Sequence, residues 1–109
     1  MITLVELLRR EEDNETDIYL YNMDGRWCAF ERSAFLASLM FAKTEINFGM
    51  YPWTEGEQTV YLPMVEIRQV VLFAQKLNYV SDEEAKLAFG IRTGRWKYWK
   101  ASMRKKYQR

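Results

Sequence analysis

The chain has 109 residues, 49% of them hydrophobic and 16% aromatic, with one cysteine and no histidine. This composition suits a single domain with a real core. It excludes Ser–His–Asp or Cys–His chemistry within the chain, histidine metal ligation and an internal disulfide. The net charge of +1 is unevenly spread: residues 1–84 carry 15 carboxylates and seven cations, a formal −8, and the last 25 carry nine Lys or Arg and no carboxylate. Composition therefore predicts a non-enzymatic protein without metal or cofactor. The tail either meets a polyanion or folds back on the acidic body. No apolar run of ~20 residues could span a membrane and no N-terminal run looks like a signal peptide, so a cytoplasmic setting is expected.

In chain order, Thr3 and Glu6 predict a capping box opening a helix to about Glu12, with Leu4, Leu7 and Leu8 on one face. Asp13–Asp17 is a polar break. Ile18–Met23 alternates as a strand with at least one buried face, Asp24-Gly25 predicts a two-residue hairpin turn, and Trp27–Phe30 is the return strand. Ser33–Ala42 is apolar almost all round and reads as a buried helix, a strand pair being the alternative. Glu45–Met50 reads as a strand, residues 51–57 as a loop, and Thr59–Leu62 as the returning strand. Pro63 suits a helix start, and Met64–Leu77 places Ile67, Val70, Val71, Ala74 and Leu77 on one face. Ser81 and Glu84 predict a second capping box and a short helix to Phe89, closed by Gly90. Thr93 then caps a last helix running towards Tyr107. The expected organisation is an α+β domain over residues 1–90 with an antiparallel or mixed sheet from two hairpins, covered by helices. A basic helix over 91–109 packs on it or extends from it.

From Leu7 to about Leu77 the order of features resembles the N-terminal domain of MutS, the DNA mismatch-repair ATPase. The features are Leu8-Arg9, the strand Ile18 to Met23, the Asp24-Gly25 turn, the aromatic strand Trp27 to Phe30, the helix from Ala34, and Pro63-Met64 leading a helix. The resemblance implies that family's mixed α+β fold. Its base-stacking Phe-Xaa-Glu does not carry over: Arg26 stands at the Phe position and Cys28 at the Glu position. Trp27 between them should face the other way. Mismatch recognition is therefore not implied, and the basic tail lies outside the resemblance.

The basic segment is the main functional candidate. On a helix Trp96, Trp99, Met103 and Tyr107 fall within about 80° of one another, with Lys97, Lys100 and Arg104 on the flank and Lys105 further round. Docking that stripe would turn the cations outward to a DNA or RNA phosphate backbone, without sequence preference. Other arrangements expose Trp96 and Trp99 for stacking on unpaired bases, lay the helix on an anionic membrane, or leave its charges solvated or paired with the acidic body. Arg92, Arg95, Lys97, Lys100, Arg104 and Lys105 are the expected phosphate contacts, with Arg26 a further one. Tyr51 and Trp53, in the expected loop, are candidates for a protein partner, alongside a homodimer of oppositely charged halves. Glu11, Glu12, Asp13, Glu15 and Asp17 read as a solvated acidic turn rather than a cation site, and Cys28 as a small buried hydrophobe.

Overall fold

The computed structural model describes residues 2–68, 77–81, 83–88 and 94–107. Its elements are α1 (Leu4–Asp13), β1 (Asp17–Met23), β2 (Arg26–Phe30), α2 (Glu31–Met40), β3 (Ile46–Glu55), β4 (Gln58–Ile67), β5 (Leu77–Val80), β6 (Glu84–Ala88) and α3 (Trp96–Tyr107). Among the described residues six strands form one sheet in the order β3-β4-β2-β1-β6-β5. Every neighbouring pair is antiparallel. The fold is α+β, with a sheet built from three hairpins where two were expected, and no parallel pair among those described.

Local chemistry fixes the first elements. Thr3 Oγ1 accepts from the Glu6 amide at 3.2 Å and donates to the Glu6 carboxylate at 3.0 Å, which caps α1. Asp24 and Gly25 both take positive φ, 55° and 87°, and the Gly25 amide donates to Asn22 Oδ1 at 2.7 Å, closing the β1–β2 turn. No loop separates β2 from α2; Glu31 makes the change of direction at φ 54°. Ser33 then replaces the strand pairing that β2 has left: its Oγ accepts from the Tyr19 amide at 3.0 Å.

Strand alternation sorts the core onto two faces. On one, Ile18, Leu20, Ala29, Val65, Ile67, Ala85 and Leu87 pack under Ala34, Leu36 and Ala37 of α2, with Trp99 of α3 against the same cluster. On the other, Tyr21, Met23, Cys28, Phe30, Trp53 and Leu62 surround Leu7 of α1. Each fully buried Leu, Ile or Phe contributes about 1.5–3 kcal/mol.

Three expectations are corrected. Residues 51–55 continue β3, and the β3–β4 hairpin pairs without a break from Ile46 opposite Ile67 to Glu55 opposite Gln58, turning at Gly56. Pro52 is tolerated because β3 is the outermost strand. Met64–Ile67 belong to β4 rather than to a helix, because Val65 and Ile67 alternate into the core. Pro63 lies one residue beyond the reach of β2, whose pairing with β4 begins at Met64. Leu77 opens β5, and residues 69–76 of the expected helix lie outside the described residues. The Ser81–Glu84 bond forms, with Ser81 Oγ accepting from the Glu84 amide at 3.0 Å, yet it closes the β5–β6 turn. A hydroxyl bonded to a nearby amide serves a turn as well as a helix start. Phe89, Gly90 and Thr93 lie outside the described residues.

Candidate functional site

The final helix is docked by the stripe its sequence supplies. Trp99 packs on Phe35 of α2 with ring centroids 5.6 Å apart, and Met103 is buried. Trp96 lies against two cations, with Arg32 Cζ 5.4 Å and Lys100 Nζ 5.2 Å from its ring centroid. Tyr107, at the end of the stripe, is exposed. Trp96 and Trp99 are half-buried and both take part in packing α3 against α2.

A polar clamp sets the start of this helix. Lys100 Nζ donates to Glu31 Oε2 at 2.6 Å, and the Glu31 side chain is only 3% exposed. Arg32 Nη1 donates to the Asn14 carbonyl. Glu31 Oε1, Arg32 Nε and Trp96 Nε1 are buried and have no hydrogen-bond partner among the described residues. Behind the clamp Glu11 is buried, accepting from the Ser33 amide and hydroxyl at 2.6 Å each. Burial pushes its carboxyl up to about 7, against the lowering effect of the Ser33 and Asn14 bonds; nearby Glu31 adds to the rise. Glu11 therefore does not belong to the solvated acidic turn that the sequence predicts. The overlooked signal is spacing: Glu11 follows Leu7 by four residues and so shares its face.

The opposite side of α3 is cationic. Lys97, Lys100, Ala101, Arg104 and Lys105 line a shallow groove of about 490 Å³. Lys97, Arg104 and Lys105 are exposed, and among the described residues none of the three forms an ion pair with a carboxylate. The expected contacts are therefore not equivalent. Lys100 is engaged by Glu31, Arg95 lies just before the helix, and Arg92 falls outside the described residues. Arg26 is exposed, but strand alternation sets it with Cys28 and Phe30, on the sheet face away from Trp99. It stands 4.0 Å from Glu66.

Tyr51 and Trp53 are not on a loop. Trp53 is 5% exposed and meets Phe30 edge-on at 5.5 Å. Its Nε1 donates to Glu55 Oε1 at 3.1 Å, and the same oxygen accepts from the Leu4 amide at 2.7 Å, tying the hairpin arm to α1. Tyr51 is half-buried beside Phe30. Burial holds the Cys28 thiol up at about 11; Glu66 adds to this and Arg26 opposes it, so the thiol stays protonated at neutral pH. Of the acidic turn, Asp17 pairs with Lys86 at 3.6 Å. Among the described residues no group of three His, Cys, Asp or Glu could hold a metal ion.

Compared with protein-family models, curated proteins and solved structures, the chain matches none of them. The likeness to MutS keeps only its sequence features, and one of these, Pro63-Met64, lies in a strand rather than at a helix start.

Proposed function

We propose that the protein is a non-enzymatic nucleic-acid-binding accessory protein that contacts the phosphate backbone through the outward face of α3. One observation carries this reading: Lys97, Arg104 and Lys105 share an exposed face of a helix whose other side is anchored on the body. Folding alone gives little reason for that face. Arg104 and Lys105 in the last turn favour the helix dipole, but Lys97 stands in the first turn, where no acidic residue offsets it. A polyanion relieves that penalty and releases counterions. The alternative of a protein-interaction surface at Tyr51–Trp53 loses its main ring to the core.

The test is a titration of labelled duplex and single-stranded DNA at about 50 and 200 mM salt. Three phosphate contacts predict a loss of roughly 20- to 40-fold across that range. Absence of binding at the lower salt, up to about 100 μM protein, would reject the proposal.

A further inference from the structure

We infer that Tyr98 is a base-stacking platform and that the nucleic acid bound on α3 is single-stranded. This rests on the phosphate-contact reading above. Tyr98 is 81% exposed, more than any other large apolar side chain among those described. The ring adds nothing to the core, and tyrosine is a poorer helix former than alanine. It lies about 120° round the helix from the docked Trp99–Met103 side. Its neighbours one turn on, Ala101 and Ser102, are small and exposed, which leaves the face of the ring open. Lys97 precedes it in the chain and Lys105 lies two turns further on, both exposed, so the helix carries a cation before and after the ring.

This juxtaposition selects among polyanions. A duplex keeps its bases paired and stacked, so it would meet the cations and leave the ring idle. A single strand offers an open π-face on every base, and its backbone can place phosphates on Lys97 and Lys105 while one base lies on Tyr98. Lys97 and Arg104 stand roughly 10 Å apart along the helix, within reach of successive phosphates of a flexible strand. The structure thus moves the stacking role from the two tryptophans, which are used in packing, to the tyrosine between them.

The test is fluorescence anisotropy at about 50 mM salt with a labelled thymidine oligomer of about 15 nucleotides and a duplex of equal length. The full chain is compared with Tyr98→Ala and Tyr98→Trp. Tyr98→Ala should weaken single-strand binding about tenfold and duplex binding less than twofold, and Tyr98→Trp should restore it. If the full chain binds both ligands and Tyr98→Ala changes neither, the inference fails and the phosphate reading survives. If it binds neither, or binds anionic vesicles instead, both are overturned.

Discussion

Glu31 takes a left-handed backbone conformation and still buries its carboxylate at the start of α2. A charge in that position needs a partner, and Lys100 supplies it from α3. Lys100→Met should therefore cost about 3 kcal/mol in urea unfolding, because Glu31 is left buried and unpaired, and adding Glu31→Gln should recover most of the loss. Glu11 makes a pH prediction. Its folded pKa, about 7, lies above the ordinary carboxylate value of 4.5, so the folded protein holds the proton more tightly than the unfolded chain. This group's contribution is then fully present below pH 4.5 and falls as the pH rises towards 7, by about 3 kcal/mol in all. Glu11→Gln should flatten stability against pH over that window. An unchanged slope would show that Glu11 is not its source.

At the scale of elements, what was legible is what local chemistry decides. The Thr3 cap, the Asp24-Gly25 turn and the apolar α2 each act through near neighbours; the cap and the turn stand where the sequence places them, and α2, Glu31–Met40, lies two residues before the expected Ser33–Ala42. The failures share a cause, in that a local signal serves two structures. Pro63 suits a helix start, but it also suits a strand position just past the end of its neighbour. Ser81 bonds the Glu84 amide in a hairpin turn as it would at a helix start. In the hairpin arm beyond Met50, Pro52 and Gly56 are loop signals that mask the pairing of Tyr51 and Trp53 with Leu62 and Val60. Partners distant in sequence decided that case, Phe30 for the Trp53 ring and Leu4 for the Glu55 carboxylate. Trp53→Ala should accordingly lower stability by about 3–5 kcal/mol in denaturant unfolding. A loss under about 1 kcal/mol would mean that the ring is not core.

For the whole molecule, the division into a −8 body and a +9 tail allowed two outcomes, and the structure shows the tail folded back with only some of its cations paired to the body. The last helix is folded back, held by Trp99, Met103 and the Lys100–Glu31 pair. Glu84 with Arg10 and Glu66 with Arg26 pair within the body, and Asp17 pairs with Lys86 of the +9 segment, which lies in β6. Lys97, Arg104 and Lys105 remain on the outside, and no helix among the described residues is long and apolar enough to cross a membrane. The candidate site was legible in outline, because charge and helical spacing are properties of the sequence. Which cations are used internally was not, because Glu31 lies 69 residues from Lys100. Reversing three exposed charges of the α3 groove together, Lys97→Glu, Arg104→Glu and Lys105→Glu, is the most direct trial. Affinity for labelled single-stranded DNA at about 50 mM salt should fall at least a hundredfold, with the unfolding midpoint changed by less than a few degrees. Unaltered affinity in a folded triple variant would contradict the account.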